Sequence, residues 1–197
     1  IEALAEADQR MIAAASVVGI EFDAISVAAA AAQPVHAVDE RCAQLAARGQ
    51  VVHATGTTSW PDGTIGGTYE FLHALHRDVV YNRLAPAERA RLHRTVAERL
   101  EAGWASDRVG IAAVLAAHFE CGNDWSKAVQ HHLAAVDASK LRLADREVLV
   151  HCEAVMSLLP RLPPSPERDR IEMVCSLELA ASLNVARGYG APEIRPL

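Results

Sequence analysis

A mostly α-helical fold is predicted, a winged helix-turn-helix of three helices and a β-hairpin followed by an irregular tetratricopeptide-like α-solenoid, and three observations lead there. Hydrophobic residues fill 51% of the 197 positions while aromatics fill only 5%. The apolar content is therefore alanine and aliphatic, which favours closely packed helices over a sandwich or barrel. Apolar residues recur at helical spacing through most of the chain, and strand-like alternation is confined to one window between Gly49 and Leu72. The length suits one large domain or two small ones.

In order, Asp8 is placed to cap a first helix through Met11, Ile12, Ala15 and Val18, with Gly19 as its terminator. Asp23 caps a second, alanine-rich helix. A third starts near Pro34, shows Val38, Cys42, Leu45 and Ala46 on one face and ends at Gly49. Extended runs at Val51 to Ala54 and Thr64 to Phe71 flank Gly56 and the turn Trp60-Pro61-Asp62-Gly63, which predicts a hairpin with Ile65, Tyr69 and Phe71 on one face.

The stretch Tyr69 to Glu101 is the junction of the chain. Leu72, Leu75, Val79, Val80 and Leu84 predict one apolar helix face, and Leu92, Val96 and Leu100 predict the next. Pro86 separates the two, since proline fits a first helical turn and biases Ala85 away from helical geometry. Beyond Asp107 four more helices are marked by Ile111, Leu115 and Phe119; by Trp125, Val129, Leu133, Val136 and Lys140; by Val148, Cys152, Val155 and Leu159; and by Ile171, Cys175, Leu179 and Leu183. Asp124, Asp145 and Ser165 are placed as their N-caps, the last before Pro166. Short connections imply antiparallel neighbours. Val129, Leu133, Val155 and Leu159 are expected to form one continuous core. The starts at Asp124 and Ser165 lie further apart than the roughly 34 residues of a strict tetratricopeptide repeat, so any repeat is irregular. The expected division is a winged-helix domain over 1–84, a connecting helix over 85–106 and a truncated helical repeat region over 107–197.

The net charge of −6 argues against bulk attraction to nucleic-acid phosphates. Helix three carries Arg41 and Arg48 beside Asp39 and Glu40, the hairpin has no Lys or Arg from Val51 to Phe71, and the helix after Pro86 mixes Arg89, Arg91, Arg94 and Arg99 with Glu88, Glu98 and Glu101. Nucleic acid is therefore not the expected partner. Cys42, Cys121, Cys152 and Cys175 form no C-x-x-C pair, which suits reduced thiols and a cytoplasmic setting. No apolar run approaches the roughly 20 residues of a membrane span. The chain opens on Ile1 and stops at Leu197 just after a new turn signal, so it reads as a piece of a longer protein.

The segments YEFLHALHRDVVYNRLAPAERARLHRTVAERLE and AAHFECGNDWSKAVQHHLAAVDAS together resemble the middle of bacterial STAND-class signalling ATPases. The likeness is nearest to large multidomain ATPases carrying a class III adenylate or guanylate cyclase domain, and extends more distantly to regulators ending in a LuxR-type DNA-binding domain. LPRLPPSPER, Leu159 to Arg168, and RGYGAPE, Arg187 to Glu193, also look like that family's repeat region. The resemblance implies a P-loop ATPase domain preceding this region in the same chain, which would bind ATP or ADP with Mg2+, and a protein partner on the helical repeats. No G-x-x-x-x-G-K-[ST] loop occurs here, so these residues hold no P-loop phosphate cradle, and no cofactor of their own is expected.

His73, where the hairpin strand turns into a helix, is the one residue singled out. In STAND relatives a histidine at a similar position reaches a phosphate of bound ADP, and an imidazole N–H at a helix start is a good donor to an anion. The resemblance makes His73 a candidate ADP phosphate sensor, and the competing expectation is that it only caps or packs at the junction. His73, His76 and Asp78, or His118 with Cys121, or His131 with His132, supply too few ligands for a structural or catalytic zinc site. No catalytic or metal residue is expected. The expected function is a non-catalytic regulatory piece of a signal-transduction ATPase, and the alternative is a DNA-binding winged-helix regulator with a helical effector domain.

Overall fold

The structure, a computed structural model, describes residues 4–187. Among them it is mostly helical, with nine α-helices and one small three-stranded antiparallel sheet. Its internal contacts divide the chain into two units, the first running to Arg108 and the second from Val109, with 121–123 counted in the first. The RGYGAPE stretch beyond Arg187 and the side chain of Leu183 lie outside the described residues.

The first unit holds α1 (Glu6–Val18), β1 (Glu21–Asp23), α2 (Ala24–Ala31), α3 (Val35–Ala47), β2 (Val52–Ser59), β3 (Ile65–Phe71), α4 (Ala74–Arg83) and α5 (Pro86–Gly103). Asp23 caps α2 as expected, its carboxylate accepting the Ser26 N–H at 2.8 Å. Pro34 and Pro86 open α3 and α5. The alanines of α2 let it lie between neighbours, and it packs against α1, α3 and α5. Leu92, Val96 and Leu100 of α5 are buried, so residues 85–106, expected as a connecting helix, contribute to the core of the first unit.

Strand order is β1-β3-β2. The hairpin pairs Val52 with Phe71 and Ser59 with Ile65, and the register slips between Ala54 and Gly56, where Thr55 lies outside the ladder pairing and its hydroxyl bonds the Thr68 hydroxyl at 2.9 Å. Strand β1, which the sequence reading did not include, pairs Phe22 with Tyr69 and lays the Phe22 ring 5.9 Å from Tyr69 and 5.3 Å from Phe71. Three residues carry no periodicity, so only the finished edge of β3 makes them a strand.

Three local expectations are corrected. Asp8 does not cap α1, which starts at Glu6 after Ala5; its carboxylate pairs with Arg41 of α3 at 2.8 Å. Ile65 is 67% exposed although Tyr69 and Phe71 are buried; it is the first residue of β3, at the hairpin turn. The apolar stripe of α4 does not face the core: only Val80 is buried.

The second unit is built from α6 (Ala112–Cys121), α7 (Trp125–Leu141), α8 (Asp145–Leu158), a 3-10 turn (Leu159–Arg161) and α9 (Pro166–Arg187). Asp124 caps α7 by accepting from Lys127 N–H, and Ser165 caps α9 by accepting from Arg168 N–H, each at 3.2 Å. Asp145 sits inside the first turn of α8 instead, after Ala144, where its charge still suits the positive end of the helix. Successive helices pack in sequence, α7 on α8 and α8 on α9. Leu115, Phe119, Val129, Val155 and Leu159 are buried, but Leu133 is only half-buried; it lines a cleft between α7 and α9, so the expected core of four is a core of three with Leu133 at its rim.

Phe119→Ala is expected to destabilise the second unit by roughly 3 to 5 kcal/mol, since the ring is fully buried and its loss leaves a cavity. Denaturant unfolding checks this, and an unchanged midpoint would show that the site collapses around the smaller side chain.

Candidate functional site

The junction between β3 and α4 is assembled by backbone bonds. Leu72 N–H donates to Val51 O at 2.8 Å and His76 N–H to His73 O at 2.9 Å. Val51 itself sits at φ 63°, a left-handed conformation that a β-branched residue adopts only when its surroundings compel it. His73 is the N-cap residue of α4, in extended backbone, yet its side chain makes no capping bond. The ring is exposed and lies edge-on to His76 with centroids 5.1 Å apart. Nδ1 of His76 is buried without a hydrogen-bond partner.

Around this histidine pair lies an apolar surface. Leu72 is 38%, Leu75 69% and Val79 38% exposed, and Ile20, whose carbonyl accepts from Phe71 N–H at 3.0 Å, is exposed beside them. On α4 Arg77 is held inward, donating from Nε to Ser16 O at 2.8 Å and lying 4.4 Å from the Tyr81 ring, which also carries Arg89 of α5 at 4.3 Å, while Arg83 in the last turn of α4 is exposed. The Tyr81 hydroxyl and His93 Nε2 are 3.0 Å apart. The result is an apolar face with two imidazoles at its edge and a fixed cationic flank.

Two of the arginines that a nucleic-acid reader could use are engaged within the unit. Arg41 is paired with Asp8, and Asp39 of α3 accepts from Tyr69 OH at 2.6 Å and Gly67 N–H at 3.1 Å. Arg99 of α5 reaches the hairpin turn, meeting Asp62 at 2.8 Å and Thr64 Oγ1 at 3.0 Å while lying over Trp60. Trp60 is buried, 6.3 Å from Trp104. The sequence signal was the mixed charge of α5 together with Asp62 in the turn, and the missing information was that the two meet.

Among the described residues no group of three His, Cys, Asp or Glu side chains could hold a metal ion, and the four cysteines are unbridged. His118 is buried, which pushes its pKa down to about 4, and His131 stacks flat on Phe119 at 5.3 Å. In the second unit two adjoining clefts of about 540 and 230 Å³ share Leu133, Glu167 and Ile171 and run between α7 and α9. An ion pair between Lys140 and Glu178 bridges the two helices there. Among the described residues no helix is long and apolar enough to cross a membrane. Compared with protein-family models, curated proteins and solved structures, the chain gives no match.

Arg99→Ala is expected to release the hairpin turn, shifting Trp60 emission to the red and weakening the near-ultraviolet dichroism of the Trp60–Trp104 pair while the helical signal holds. Unchanged spectra would show that Trp60 stays seated without the guanidinium.

The lowered pKa of His118 has a defined sign. Below about pH 6.5 the unfolded chain binds the proton more readily than the folded one, so stability is full above that pH and is lost as pH falls toward 4. A loss on the order of 3 kcal/mol is expected in the second unit by pH 4. Unfolding midpoints compared at pH 7.5 and 4.5 check it.

Proposed function

We propose that this chain is a non-catalytic regulatory module of a STAND-class signal-transduction ATPase. In this reading the first unit is a winged helix that closes on a neighbouring nucleotide-binding domain, and the second is a tetratricopeptide-like repeat region that binds a protein. The observation that carries the reading is the exposed apolar surface formed by Leu72, before α4, and by Leu75 and Val79 on it, with His73 at its edge and no capping bond to occupy it. An apolar face beside an available N–H donor suits a contact that is dry at its centre and polar where it meets a phosphate. The cleft between α7 and α9 offers an apolar floor with charged rims for the second contact.

Three helices followed by a hairpin agree with the winged-helix reading. The absence of Lys and Arg along the hairpin, and the ion pairs that occupy Arg41 and Arg99, favour a protein contact over a DNA contact. The bound nucleotide would be ADP with Mg2+ on the ATPase domain, and His73 would supply one hydrogen bond to it.

The test is release of labelled ADP from the parent ATPase. Loss of a hydrogen bond to a charged group is worth about 1.5 to 3 kcal/mol, so His73→Ala is expected to shift the closed-to-open equilibrium roughly ten- to a hundredfold toward open. The thermal midpoint should hold, because the ring is exposed. Release at the native rate would return His73 to a surface role.

A further inference from the structure

Helices α7 and α8 meet through two imidazoles. Nδ1 of His132 lies 3.1 Å from Nδ1 of His151, and Nε2 of His132 lies 3.3 Å from Oε2 of Glu120 on α6. An ionised carboxylate only accepts, so it takes the Nε2–H of His132 and leaves the neutral ring with a lone pair at Nδ1. His151 must then provide the proton between the rings, as Nδ1–H, with its own Nε2 free to take another. A single added charge is compatible with this arrangement, because one N–H still points at one lone pair. Two added charges are not: both Nδ1 atoms would carry hydrogen and face each other across 3.1 Å.

We propose that His132 and His151 form a proton-operated latch between α7 and α8, closed while the pair carries at most one added proton and opened when both rings are charged. Water does not relieve the second charge in place, since His132 is 6% exposed. His151 is half-buried and lines a cleft of about 560 Å³ with Ser139, Arg142 and Glu147, which gives protons a route in.

Each packed element contributes a charge to the balance. From α6 comes Glu120, which favours a charged His132, and from α7 comes His131, which opposes it when protonated. On α8 Glu147 favours a charged His151, while Arg142 after α7 opposes it. Glu147 is itself tied to Arg142 at 2.7 Å and to Ser139 at 3.0 Å. Burial outweighs the carboxylates and holds both rings below the ordinary imidazole range. The sign follows: the closed latch is fully stable above about pH 6.5 and weakens as pH falls. Because α7 also walls the cleft toward α9, opening would alter the surface presented there. The latch stands whether or not that cleft binds a partner.

Two measurements on the whole chain test it. Imidazole 15N titration should show His132 protonated at Nε2 and His151 at Nδ1 at pH 7.5, and the two rings should titrate as one coupled pair in two separated steps. The opposite tautomers, or two independent single-site curves, would overturn the latch. Amide exchange protection in α7 and α8, corrected for intrinsic rates, should fall roughly tenfold or more between pH 7.5 and 4.5. In His151→Gln, whose amide can still donate to His132 Nδ1 but cannot be charged, that fall should be at least roughly threefold smaller than in the native chain, the remainder being the part that His118 contributes. An undiminished fall in the variant would sink the proposal, and should the variant not fold, the tautomers and coupling in the native chain decide alone.

Discussion

The first unit depends on the hydrogen bond by which Tyr69 of the central strand reaches Asp39 of α3. At 2.6 Å it is a short bond to a carboxylate, and the same carboxylate takes the Gly67 N–H. Sheet and helix are thereby locked at a fixed register, and burial and the carboxylate together push the Tyr69 phenol upward in pKa. Gly67 is required at this point, since a Cβ there would stand 2.3 Å from the Asp39 oxygen. With β3 fixed, Phe71 is buried, β1 gains an edge to pair with, and the chain leaves the sheet at Leu72 in the direction that turns α4 outward.

Four arginines of the first unit are held by contacts within it. Arg41, Arg77, Arg89 and Arg99 are each committed to a carboxylate, a carbonyl or an aromatic ring within the first unit. A guanidinium held flat against a ring retains its charge but loses the freedom to follow a phosphate backbone. Leu72, Leu75 and Val79 are exposed in the same unit, with the His73 and His76 rings beside them.

The second unit obeys a different constraint. Its helices stack in sequence through small and aliphatic residues, and the polar side chains admitted between them are largely histidines: His118, His131 and His132 are buried. A neutral imidazole can be both donor and acceptor, so it fits a helix interface that a lysine or glutamate would disrupt. The cost is sensitivity to acid, because burial makes His118 and His132 resist a proton that the unfolded chain would accept.

Much of this fold was legible in the sequence. Asp23, Asp124, Ser165 and Pro86 marked helix starts through local hydrogen bonding and backbone restriction, and the buried stripes of α5 and α8 followed from helical period. The position of His73 at a strand-to-helix turn was equally a local matter. Tertiary structure alone decided the rest. It turned the stripe of α4 outward, made Glu21 to Asp23 a strand, paired Asp8 with Arg41 and Asp62 with Arg99, left Leu133 at a cleft rim, and set His132 against His151. Periodicity identifies which residues share a face, and capping chemistry identifies where a helix begins, because both are fixed by neighbours within one or two turns. Which face is covered, and which charges meet, depends on partners distant in sequence, and that information exists only once the backbone has been brought together.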